Sequence, residues 1–164
     1  MQIELHLSSK SQLHARTYDP ELDDIRSILG DVCDFAEGEG RFVVSGFGQD
    51  LWPVDIRTDL CVLLEQLPGS LVAISSGAHF EIDFYEQGVE RKIEFSPEDN
   101  GYVATCLSYG KWQPNPAAEH VESNSLARML IAVRDEFIEF MRCACPDLVL
   151  HPWVQSWLQG ANVD

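Results

Sequence analysis

Two hydrophobic periods alternate along this chain, and the points where one gives way to the other predict its elements. Residues 80–95 carry the clearest pattern. Phe80, Ile82 and Phe84 alternate with Glu81, Asp83 and Tyr85, and Ile93 and Phe95 alternate with Lys92 and Glu94. A period of two is that of a half-buried strand. Gln87-Gly88 between the runs predicts a two-residue hairpin turn. Counting outward from it pairs Glu86 with Val89, Phe84 with Arg91, Ile82 with Ile93 and Phe80 with Phe95 on one face, mostly apolar. The other face pairs Tyr85 with Glu90, Asp83 with Lys92 and Glu81 with Glu94. Residues 102–109 supply a third run, so an antiparallel meander is expected.

The remaining elements follow in chain order. Ile3, Leu5 and Leu7 alternate, which predicts a strand over 2–8. Asp19-Pro20-Glu21 predicts a helix start, with Asp19 as N-cap and Pro20 first in the helix. Leu22, Ile25, Ile28, Leu29, Val32 and Ala36 then recur at helical spacing. Gly30 leaves a second reading open, a helix ending near Leu29 and a short strand over 31–37. Residues 41–47 read as a strand, with a bend at Gly46-Phe47-Gly48 and an extended Trp52-Pro53-Val54. Asp55 or Thr58 caps a helix carrying Leu60, Leu63, Leu64 and Leu67, and Pro68-Gly69 interrupts it. Residues 71–76 are a further helical turn or a strand, and 110–116 are a loop.

Ser123 or Ser125 caps a long helix with a stripe of Leu126, Met129, Leu130, Val133, Phe137, Phe140, Met141 and Ala144. Pro146 ends it. Pro152 opens a short helix that turns Trp153, Val154, Trp157 and Leu158 inward. Together these elements predict one α+β domain over residues 1–164. It holds a mainly antiparallel sheet of five or six strands, with a central meander and helices packed mostly on one face. The apolar side of the meander is expected against the long helix, through Leu130, Val133 and Phe137.

Charge changes the picture more than composition does. The 164 residues hold 27 acidic and 11 basic side chains, a net charge of −16. Such a chain repels nucleic-acid phosphates and anionic membranes and attracts basic partners. Neither nucleic acid nor membrane is therefore an expected partner. No basic stretch precedes an apolar one near the start, and no apolar run is long enough to cross a bilayer. Five cysteines, an odd number without a secretion signal, imply reduced thiols. A cytoplasmic protein is expected.

Candidate chemistry is sparse. Cys143 and Cys145, with His151 nearby, point in different directions on a helix and make a poor zinc site. Cys61 or Cys106 with His79 or His120 would be a nucleophile pair, but nothing in the sequence ties any of them together. Gly46-Phe47-Gly48 lacks the Lys-Ser/Thr of a phosphate loop. Neither a metal nor a cofactor is expected. The four tryptophans read as core and edge packing, with Trp112 in solvent. A non-enzymatic binding protein is the leading reading. A small enzyme with a Cys–His or carboxylate site and a homo-oligomeric structural or regulatory protein are the alternatives.

Four stretches carry a likeness to known proteins: Phe47-Gly48-Gln49-Asp50-Leu51-Trp52-Pro53, Leu64-Glu65-Gln66-Leu67-Pro68, Asp83-Phe84-Tyr85-Glu86-Gln87-Gly88 and Cys145-Pro146-Asp147-Leu148. With the small acidic α+β profile, they resemble bacterial immunity proteins of polymorphic or contact-dependent toxin systems. The resemblance implies a cognate toxin domain as partner, covered at its active site. Charge suggests where. Glu81 opposite Glu94 sets like charges side by side, at a cost that a cationic partner would relieve. The expected binding residues are Glu81, Asp83, Tyr85, Glu90 and Glu94, with Glu86 at the turn. Tyr85 supplies an amphipathic anchor. Asp50, Asp55 and Asp59 around Trp52 form a second acidic candidate. The oligomeric state is left open.

Overall fold

Strand pairing divides the protein into two antiparallel sheets that share one core with the helices. The computed structural model describes residues 1–8 and 11–160. β1 (Gln2–Leu7) pairs with β2 (Gly40–Ser45), placing Ile3 opposite Val44 and Leu5 opposite Phe42. The second sheet is the meander extended by one strand: β3 (Phe80–Phe84), β4 (Arg91–Glu98), β5 (Gly101–Ser108) and β6 (Ala118–Glu122), in that order. The fold is α+β, as expected, but its six described strands lie in two sheets rather than one.

The hairpin register is the one counted from the sequence, from Phe84 opposite Arg91 to Phe80 opposite Phe95. Its turn is not. Residues 85–90 leave the ladder, and the N–H groups of Val89 and Glu90 both donate to the Glu86 carbonyl at 3.3 Å. Glu90 takes a positive φ of 47°, and Val89 turns inward and is buried. Val89 keeps its inward place without a ladder partner, since pairing stops at Phe84 opposite Arg91, so Glu86–Val89 and Tyr85–Glu90 are not cross-strand pairs. β6 has no apolar row to announce it in the sequence; only its Val121 packs on the core.

Helix α1 (Ile25–Ala36) starts later than Asp19-Pro20 suggests. Asp24 caps it, and Ser27 returns the bond in a capping box. Asp19 instead heads a turn whose carbonyl accepts from Leu22 and Asp23, and Leu22 is left 85% exposed. Gly30 does not stop the helix, so 31–36 are helical. A π-helical turn (Ile56–Leu60), capped by the Asp55 side chain, leads into α2 (Cys61–Ser76). Pro68 lies inside α2 without interrupting it, and 71–76 are helical up to Gly77, whose φ of 64° ends the helix. α3 (Ser123–Ala144), α4 (Pro146–Val149) and α5 (Pro152–Leu158) complete the described chain.

Phe80, Ile82, Phe84, Ile93 and Phe95 are all buried. The helix that lies against β3 is α2, whereas α3 runs along β1 and reaches β5 and β6. Gln66 of α2 explains the preference. Its side chain donates to the Asp83 carbonyl at 3.0 Å and accepts from the Asp83 N–H at 2.8 Å. The amide stands in for a neighbouring strand and covers an otherwise open sheet edge. Among the described residues, no helix is long and apolar enough to cross a membrane.

Candidate functional site

The outer face of the meander carries the expected row of charges, but not in the expected balance. Glu81 faces Glu94, and Asp83 faces Lys92. Lys92 Nζ lies 3.1 Å from Glu81 Oε2 and 3.9 Å from Glu94 Oε1. One ammonium thus lies between both carboxylates and offsets part of their repulsion within the fold. Hydrogen bonding to Glu81 raises the Lys92 pKa. Asp83 is half-buried, and burial pushes its carboxyl up while Lys92 opposes the shift.

A second group of carboxylates collects at one end of β3, with Arg26 as its nearby cation. The 85–90 loop leaves Tyr85 56% exposed and brings Glu86 towards the start of α2. Burial pushes the Glu65 carboxyl up; Arg26 opposes this, and the Asp24 and Glu86 carboxylates add to it. Asp59 is pushed up to about 6 by burial, with Asp55 and Glu86 adding to the rise; the Asp55 N–H, 2.9 Å from its carboxylate, opposes it. The Tyr85 phenol is pushed up by burial, then by Glu65 and Glu86. The folded chain therefore gathers Glu65, Glu86 and Tyr85, with Asp55 and Asp59 beside them. Glu90 is exposed on the same loop, its carbonyl accepting from the Tyr109 N–H at 3.0 Å.

Nothing in the sequence singles out Glu65, one charge on an apolar helix; only the packing of α2 on β3 places it. Of the second expected acidic surface around Trp52, Asp50 and Asp55 are exposed, but Asp59 and the ring itself are not. That ring is 1% exposed and Asp59 3%, while Asp55 is spent on capping the π-helical turn.

The candidate reactive pairs are kept apart. Cys61 and His79 flank α2, whose 16 residues separate them by roughly 20 Å. Cys106 is buried in the core, and burial pushes its thiol up to about 11. His120 lies on the exposed side of β6, 2.6 Å from Glu98. Cys145 is buried and likewise pushed up to about 11. Cys143 is exposed, and His151 Nδ1 accepts from the Trp153 N–H as the cap of α5. No group of three metal-ligating side chains occurs among the described residues. A groove of about 210 Å³ between α2 and α5 is lined by Leu67, Leu71, Val72 and Leu158. Arg134 at its edge is paired with Asp135 at 2.8 Å, so no set of titratable groups converges there.

Arg91 is the unexpected member of the inner face. The register places it there, opposite Phe84 and Ser108, and it is 4% exposed. Its guanidinium carbon lies 4.5 Å from the centroid of the Trp52 ring and 3.7 Å from that of Trp112. Trp112 is therefore half-buried over a cation rather than free in solvent. Its loop is tied down by the Asn115 N–H, which donates to the Phe47 carbonyl at 2.9 Å. Gly48 permits this approach, because a Cβ there would meet the Asn115 oxygen at 1.9 Å.

No protein family, curated protein or solved structure matches this chain.

Proposed function

We propose that this chain is a non-enzymatic protein-binding module, an immunity protein that acts in the bacterial cytoplasm. It neutralises a cognate toxin domain by covering a basic active site with an acidic surface. One observation carries the reading: Glu65 and Glu86 gather at the exposed Tyr85 in a chain of net charge −16. The Glu65 carboxyl, pushed up by burial and by neighbouring carboxylates, favours a partner that brings positive charge. An exposed tyrosine among them is a residue type enriched at interface hot spots. The Glu81–Lys92–Glu94 bridge shifts the centre of the surface. Glu81, Asp83 and Glu94 form its partly compensated flank, and Tyr85, Glu86 and Glu90 its core. A basic cleft and an acidic surface associate quickly through long-range attraction, and salt weakens that attraction.

The test takes the partner recovered by pull-down or from the neighbouring gene and follows association at two salt concentrations. Glu86→Lys with Glu90→Lys is expected to slow association and flatten its salt dependence, with the fold intact. An unchanged association rate for the folded double variant removes this surface from the interface.

A carboxylate enzyme is the second reading, and Asp59 is the observation behind it. Its carboxyl is pushed up to about 6, towards the range of a general acid or base. It ranks lower because Asp59 is 3% exposed, which leaves a substrate little access to it.

A further inference from the structure

Among the described residues, Arg91 is a buried charge without a counter-ion. Among the described residues, its Nε and Nη1 have no hydrogen-bond acceptor. Trp52 and Trp112 do not supply one. Their ring faces attract the cation, but the N–H groups in the guanidinium plane still need acceptors. Ser108 stands directly across the ladder from Arg91, and opposed residues of an antiparallel pair share a face. Its Oγ is also enclosed and unpartnered. Burial lowers the Arg91 pKa, with the Cys106 thiol as the opposing influence and no carboxylate among the causes. Among the described residues, a chain with 27 acidic side chains thus leaves this buried cation unpaired, an arrangement that costs stability.

We propose that Arg91 and Ser108, beneath Trp112, form a binding site for a compact oxyanion, the carboxylate or phosphate group of a small ligand. Guanidinium N–H groups and a hydroxyl are the donors such oxygens require. Trp52 and Trp112 wall the site with apolar surface, and Trp112 is only half-buried, so the guanidinium lies one side chain below the surface. Lys111, next to Trp112 in the chain and exposed, carries a further positive charge on the same loop. The site is independent of the acidic surface proposed above.

The full chain is titrated with acetate and, separately, with phosphate, at an ionic strength held constant with chloride. Thermal unfolding and tryptophan fluorescence are followed together, since Trp52 and Trp112 both touch the cation. At least one oxyanion is expected to raise the unfolding midpoint by mass action and to change the emission saturably. The stronger of the two responses identifies the ligand's group. Ser108→Ala and Arg91→Lys are expected to weaken the apparent affinity about tenfold, the loss of one charge-assisted hydrogen bond. Arg91→Met is expected to abolish the response while folding as well as the parent, because an apolar chain replaces an unpaired charge. Arg91→Lys provides the comparison should Arg91→Met fail to fold. A response to neither anion overturns the proposal, as does an equal response in the Arg91 variants.

Discussion

The indole N–H of Trp157 donates a 2.8 Å hydrogen bond to the carbonyl oxygen of Leu64. The bond exists because of Pro68. A helical carbonyl normally accepts from the N–H four residues on, and proline has none. The Leu64 oxygen would otherwise be buried without a donor. Trp157 supplies one from α5, and its ring packs edge-on against Phe137 of α3. One side chain thereby repairs α2 and ties it to two other helices.

Trp157→Phe should cost about 1–3 kcal/mol, the penalty of an unsatisfied buried acceptor. In a Pro68→Ala background the backbone N–H is restored, and the same change should cost less. Urea unfolding of the four proteins gives the coupling energy, expected to exceed about 0.5 kcal/mol. Independent, additive effects would mean that Trp157 acts by packing alone.

Phe84 is fully buried and sits edge-on to Trp52 with ring centroids 6.0 Å apart. Phe84→Ala should cost about 3–5 kcal/mol by opening a cavity between the meander and its neighbours. Chemical denaturation measures it. A loss below about 1 kcal/mol would contradict the packing described.

Asp59 makes stability depend on pH in an unusual direction. Its folded pKa is about 6, against about 3.9 for an unperturbed aspartate. Between these values the folded chain keeps a proton that the unfolded chain releases. Stability from this group is therefore full below about pH 4 and is lost as pH rises through about 6. At pH 7 the ionised Asp59 should cost about 3 kcal/mol. Asp59→Asn, whose side-chain oxygen can still accept from the Asp55 N–H, should be the more stable protein at pH 7. The gap should close near pH 4. Urea midpoints of both proteins from pH 4 to 7 check this; a gap independent of pH would rule out titration of Asp59.

Lys92→Met should expose the repulsion that the ammonium now bridges. A loss of stability is expected at low salt, shrinking at high salt as the charges are screened. Adding Glu94→Gln should recover most of it. Unfolding at two salt concentrations decides the matter, and a salt-independent loss would point to the packing of the lysine stem instead.

Local pattern alone sets the hairpin register, the α+β class and most of the core. Alternation between 80 and 95 leaves one register that buries Phe80, Ile82, Phe84, Ile93 and Phe95 together, because a slip by one residue would turn all of them to water. The stripe of α3 is legible for the same reason. Contacts between distant segments settle what no local pattern encodes. Pro68 reads as a helix break until Trp157, 93 residues from Leu64, arrives to meet the carbonyl that the proline frees. The two-residue turn gives way to a wider loop, in which the Val89 and Glu90 N–H groups share the Glu86 carbonyl and Glu90 takes a positive φ. The Glu81–Glu94 repulsion looks open to a partner until the Lys92 side chain lies between them. Glu65 and Glu86 join a helix to a loop that only the docking of α2 on the edge of β3 brings together. Arg91 is placed on the inner face by its register alone, but its want of an acceptor depends on what the 110–117 loop lays over it.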